Sequence, residues 1–251
     1  MVVTLPDLGP LAWAALVVGA LTVGISKTAL PGANTLGIAL FAAVLPAKES
    51  TGAMLMLLVV GDALALLLYR RHADWRVLAR LAPSVVAGLL VGVVFLALAD
   101  DAGVRRVIGA ILLALVALTL WNRRRASARG STTRGSHIAA ASYGSLGGFT
   151  TMVANAGGPV MSMYFLASRF SRQAFLGTAA WFFAVLNLAK LPFSIGLGLI
   201  DLSTLALDLL LLVPVLAGGA IGWFALRRMS QRVFDVLVTL LTIAGAVYLL
   251  L

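Results

Sequence analysis

GISKTALPGAN (24–34) and GFTTMVANAGGP (148–159) each interrupt a short apolar segment with glycine, proline, hydroxyl and amide side chains. The first also carries a lysine. In lipid, backbone that leaves the helix must be buried in protein or line a wet cavity, because nothing else there satisfies its N–H and C=O groups. Two such breaks at matching places in two halves of a chain mark a candidate transport site.

The rest of the chain sets the context for these breaks. Its 251 residues are 61% hydrophobic and only 11% charged, with a mean hydropathy of +1.05. Soluble domains carry about 25% charged residues, so this is an integral helical membrane protein. The net charge of +10 comes from 19 Lys+Arg against 9 Asp+Glu. The arginines cluster between apolar stretches, where they report orientation, and no basic face with interleaved aromatics suggests nucleic acid. The absence of cysteine excludes disulfides and thiolate metal sites. The N-terminus, MVVTLPDLGP, lacks a positive n-region, so the first apolar stretch reads as mature protein.

Long apolar stretches cover 50–69, 77–98, 103–121, 174–200, 202–226 and 233–251. Each approaches or exceeds the roughly 20 residues a spanning helix needs. Four shorter pieces, 11–25, 33–45, 137–152 and 158–168, fall around the breaks. They read as half-helices paired in hairpins or as tilted, unwound spans. The order short, short, long, long, long then occurs twice. An ungapped offset of 125 residues pairs Gly19 with Gly144, Gly32 with Gly157, Gly52 with Gly177 and Asp62 with Asn187. The expected fold is therefore an all-α polytopic membrane protein of two repeats. The first occupies 1–121, a basic linker 122–136, and the second 137–251.

Loop charge gives the direction. Arg70, Arg71, Arg76 and Arg80 follow the first long span, and Arg123, Arg124, Arg125, Arg129 and Arg134 fill the linker. Arg169, Arg172, Arg227, Arg228 and Arg232 mark two further turns, whereas Asp100, Asp101 and Asp201 mark turns with few bases. Placing the arginine-rich loops in the cytoplasm puts both termini outside. It also makes the halves run in opposite directions, an inverted-topology repeat.

The candidate site residues follow from the breaks. The pieces beginning near 33 and 158 present helix N-termini, whose free N–H groups and partial positive charge suit anions. Gly32, Gly157 and Gly158 permit close backbone approach, and Pro31 and Pro159 suit helix starts. Thr28, Asn34, Thr150, Thr151 and Asn155 add uncharged hydrogen-bonding groups. Lys27 attracts an anionic substrate, pairs with an acid, or snorkels to the interface if the helix ends early; its mate by offset, Met152, carries no charge. Asp62 lies mid-span, and Lys190 shares a helix face with Asn187. Asp62 is open to three readings: an ion pair with Lys27 or Lys190, proton carriage, or ligand contact. Asp208 reads as interfacial. His72 and His137 sit at loop edges, and no metal-ligand, P-loop, GxSxG or HExxH pattern occurs, so no cofactor and no enzymatic activity is expected.

GISKTALPGANTLGIALFAAVLPAKESTG, with Asp62 and YRRHADW downstream, resembles the first half of TauE/SafE family permeases. GGFTTMVANAGGPVMSMYFL, followed by LGTAAWFFAVLNLAKLPFSIGLG, resembles the second half. The resemblance runs from about residue 10 to 251. It implies transport of small anions such as sulfite or organosulfonates across the bacterial inner membrane. The expected partners are thus a small anion and the lipid bilayer, with protons a candidate coupling ion. Substrate, direction and oligomeric state stay open. The rival readings are a permease for a neutral or cationic solute and a non-transporting membrane accessory protein.

Overall fold

The computed structural model describes residues 8–104 and 137–234, with the isolated positions 106, 107, 110, 236, 237 and 240. The linker 122–136 and most of the expected spans 103–121 and 233–251 lie outside the described residues. The described chain is helical: α1 (Pro10–Thr28), α2 (Asn34–Val44), α3 (Ala47–Tyr69), α4 (Trp75–Leu98), α5 (His137–Ala154), α6 (Gly157–Ala167), α7 (Arg172–Gly196) and α8 (Leu202–Arg227). Short 3₁₀ turns cover Pro31–Ala33 and Arg70–His72. Five stretches among the described residues are long and apolar enough to cross a membrane: Pro10–Thr28, Ala47–His72, Trp75–Leu98, Arg172–Gly196 and Leu202–Arg227.

Each break has a local cause. In the first, Pro31 has no N–H, and the residue before it, Leu30, is pushed out of the helical conformation (φ −130°, ψ 83°). In the second, Asn155 takes the left-handed conformation (φ 53°), which ends a helix, and the Ala156 N–H bonds back to Thr150 O at 3.1 Å. After each break the chain folds back. Gly37 packs on Thr22 and Gly19, and Gly147 packs on Met161, so α1–α2 and α5–α6 are antiparallel hairpins. Helices α2 and α6 have 11 residues each. At 1.5 Å per residue that is about 16 Å, half of a hydrocarbon core.

Packing between 8–104 and 137–234 is reciprocal. Helix α1 lies along α8, and α5 lies along α4. A Cβ added at Gly24 would collide with Val215 O, and one at Gly148 would collide with Val85 O. Gly218 faces Leu21 O just as Gly88 faces Ser145 O. Gly52 abuts Leu199 O as Gly177 abuts Tyr69 O. At the helix starts, Asp101 accepts from Lys48 N at 3.0 Å and Gln231 accepts from Arg172 N at 2.8 Å. Small residues let backbones touch where lipid gives no hydrophobic drive for association. The faces left over are apolar: Val91, Val94, Val213 and Phe224 are each more than half exposed.

The charged turns separate to opposite ends. Gly177 meets Tyr69 and His72, Trp181 donates to Arg70 O at 3.1 Å, and Arg172 donates to Met229 O, which gathers the arginine-bearing turns. Trp75 and Trp181 pack there in a tilted pair with centroids 5.1 Å apart, and Arg227 lies over Trp223 at 4.5 Å. Asp101 at the start of α3, and Leu199 against Gly52, mark the other end.

Candidate functional site

The two breaks meet tip to tip. Asn34, the first residue of α2, donates from Nδ2 to Asn155 O at 3.3 Å, and Gly158 at the start of α6 faces Pro31 O. Beside this junction, α3 and α7 pack along each other and enclose a cavity. Its volume is about 30 Å³, and it is partly open on one side. Ser26, Lys27, Asn34, Asp62, Thr151, Asn155, Gly158, Phe183 and Asn187 are among its lining residues.

The charges form one connected network. Lys27 Nζ pairs with Asp62 Oδ1 at 2.5 Å and lies 4.6 Å from the centre of the Phe183 ring. Asn187 Nδ2 donates to the other carboxylate oxygen, Asp62 Oδ2, at 2.6 Å. Lys190, fully buried, stands behind the lining and donates to Thr151 O at 2.7 Å and Asn155 Oδ1 at 2.6 Å. Asn187 Oδ1 lies 3.5 Å from the same ammonium. Asn155 also donates from Nδ2 to Thr51 O at 2.9 Å. The left-handed backbone at Asn155 thus both ends α5 and aims an amide at Lys190. Of the three charged groups, Lys27 and Asp62 neutralise each other, and Lys190 touches only uncharged acceptors. Removal of a charge from water is costly unless it is paired or well hydrogen-bonded.

The structure brings Lys27, Asn34, Asp62, Thr151, Asn155, Gly158 and Asn187 together in the cavity wall, with Lys190 behind it. Four other candidates do not line the cavity. Thr28 donates to Gly24 O and Gly219 O, within the α1–α8 contact. Gly32 is buried in the 3₁₀ turn, where its carbonyl accepts from Thr35 at 2.8 Å. Thr150 is oriented toward Gly147 O, and Gly157 packs on Thr151. Asp208, read as interfacial, is instead buried on α8, with neither carboxylate oxygen hydrogen-bonded. Ser26, Thr51 and Phe183 were not singled out in the sequence. Phe183 lies one helical turn before Asn187, a spacing that places both on one face.

This architecture defines a polytopic helical membrane protein with a charged cavity at two helix breaks. A profile described as sulfite exporter TauE/SafE matches residues 12–249. The chain belongs to that family, one of membrane transporters for sulfite or related anions rather than of enzymes. Comparison with curated proteins and with solved structures gave no match. Among the described residues no group of three His, Cys, Asp or Glu is placed to hold a metal.

Proposed function

We propose that this chain moves sulfite or an organosulfonate across the bacterial inner membrane by alternating access, with the anion held where the two breaks meet. The observation that carries the reading is the unequal count of charges: Lys27 and Asp62 line a single cavity, and a second lysine, Lys190, lies directly behind its wall. Lys190 supplies the uncompensated positive charge from just behind the cavity wall, where Thr151 O and Asn155 Oδ1 hold its ammonium. The starts of α2 and α6 add N–H groups with partial positive charge. Thr151 and Gly158 complete the wall; Thr28, Gly32, Thr150 and Gly157 act by shaping the hairpin tips.

The two hairpins with their following helices form inverted repeats. The reciprocal contacts Gly24–Val215 with Gly148–Val85, and Gly52–Leu199 with Gly177–Tyr69, support that reading. With the arginine-bearing end in the cytoplasm, both termini lie on the outer side. Rocking of one repeat against the other then opens the cavity to each side in turn. Asp62 is the proton-coupling group. Its protonation removes the counter-ion of Lys27 and frees that ammonium for the anion, so that proton and anion bind together.

Flux of labelled sulfite into sealed proteoliposomes tests the function. Saturable flux that a neutral analogue, dimethyl sulfone, neither shares nor inhibits is expected. No flux at all would favour an accessory role, and equal flux of the neutral analogue would sink the anion reading. If Asp62→Asn leaves the response to an imposed pH gradient unchanged, coupling at Asp62 is wrong.

A further inference from the structure

Asn34 stands at the tip of the first hairpin, is 5% exposed, and lines the cavity. Its amide orientation is fixed by chemistry: Nδ2 faces the carbonyl of Asn155, which can only accept. Oδ1 is left buried without a hydrogen-bond partner. The neighbouring side-chain donors are directed elsewhere. Ser26 donates to Pro31 O at 3.0 Å, Asn155 to Thr51 O at 2.9 Å, and Asn187 to Asp62 at 2.6 Å. A buried acceptor without a partner is costly, and such groups in folded proteins call for an explanation.

We infer that the transported anion carries a hydrogen-bond donor of its own, an O–H or N–H, which it gives to Asn34 Oδ1 while its negative group faces the lysines. This rests on the anion reading above and narrows it. Fully deprotonated oxyanions and simple alkylsulfonates satisfy the charge and leave Oδ1 bare. A hydroxyalkyl or aminoalkyl sulfonate, or a singly protonated oxyanion, satisfies both. The discrimination comes from the protein's unmet acceptor, because a site built to hydrogen-bond a ligand group rejects the analogue lacking it.

The test uses two ligand pairs on the purified full chain at one neutral pH, read by isothermal titration. Isethionate and ethanesulfonate differ by one hydroxyl. Hydrogenphosphate retains an O–H that sulfate lacks. Isethionate should bind about tenfold more tightly than ethanesulfonate if the donor is an organic hydroxyl, and phosphate about tenfold more tightly than sulfate if it is an acidic O–H. Either preference supports the inference, and Asn34→Leu should bring the preferred ratio close to one. Equal affinity within both pairs overturns it while leaving the anion reading intact; a resident water on Oδ1 would give that result. A preference that survives in Asn34→Leu overturns it as well. Failure of all four anions to bind overturns both.

Discussion

Asn187 Nδ2 donates to Asp62 Oδ2 at 2.6 Å across a separation of 125 residues, and the two occupy matching places on α3 and α7. Under the repeat proposed above, equivalent residues can touch only near the axis relating the halves. The charged network therefore sits on that axis, and the exchange of Asp for Asn makes it unequal. One acid serves a site with two lysines, and under the proposed function that imbalance is the source of the preference for anions.

The Lys27–Asp62 pair should behave as a unit. Breaking a buried pair by removing one partner costs about 3–5 kcal/mol. Asp62→Asn and Lys27→Met are each expected to lower unfolding stability by an amount of that order. The double variant should recover much of the loss, since neither charge is then stranded. Chemical unfolding in detergent of all four proteins closes the cycle. Losses that simply add would show that the pair contributes nothing jointly.

Glycine positions should divide by what a methyl would meet. At Gly52 and Gly177 a Cβ would strike the backbone of Leu199 and Tyr69, which cannot rotate away. Alanine at either should cost about 1–3 kcal/mol through overpacking. At Gly196, the last residue of α7, nothing lies within 4 Å of an added Cβ. Gly196→Ala should be neutral or stabilise by up to about 1 kcal/mol. Melting temperatures of the three variants would decide, and equal losses at all three would contradict the close contacts.

Asn155 combines two roles that substitution can separate. Its φ of 53° costs an ordinary side chain about 1–2 kcal/mol, which glycine avoids. Asn155→Gly should therefore fold better than Asn155→Ala. Both remove the 2.6 Å acceptor of Lys190, so both should lose anion binding to a similar extent. Thermal melts set beside sulfite titrations would show this. Full binding by the glycine variant would mean that the side chain serves only the backbone.

Asp201 provides a pH-dependent contribution outside the spans. It caps α8 in a reciprocal box with Thr204, and a hydrogen bond from the Ser203 hydroxyl, with others from Thr204, holds its carboxyl below the usual range. A depressed folded value means that the stabilisation is complete above the unfolded value, near pH 4. It is lost as pH falls from there through the folded value. Asp201→Ala should cost about 1 kcal/mol at neutral pH. Melting curves of wild type and variant should converge below pH 4, and a gap that persists into strong acid would refute the cap's role.

The two breaks and the order of the described helices were legible in the sequence, because composition and spacing carry them. Faces were less so. Thr28 is next to Lys27, and Thr150 next to Thr151, yet neighbours on a helix point about 100° apart. One of each pair therefore faces the cavity and the other a helix contact. The offset of 125 holds for Gly52 and Gly177, whereas Gly148 follows Gly24 by 124 and Val215 follows Val85 by 130. The helices themselves differ in length, 23 residues in α3 against 25 in α7, and one ungapped offset cannot follow such changes. The sequence offered Lys190 a face shared with Asn187. Its bonds to Asn155 and Thr151 arise only once the C-terminal end of α5 is brought against Lys190 of α7.

The central claim is that Lys190 makes the cavity a binding site for anions. Sulfite flux into proteoliposomes, compared between wild type and Lys190→Met at equal amounts of folded protein, tests it most directly. The charge balance predicts saturable flux in the wild type and a loss of at least tenfold in the variant. Undiminished sulfite flux in Lys190→Met would contradict it.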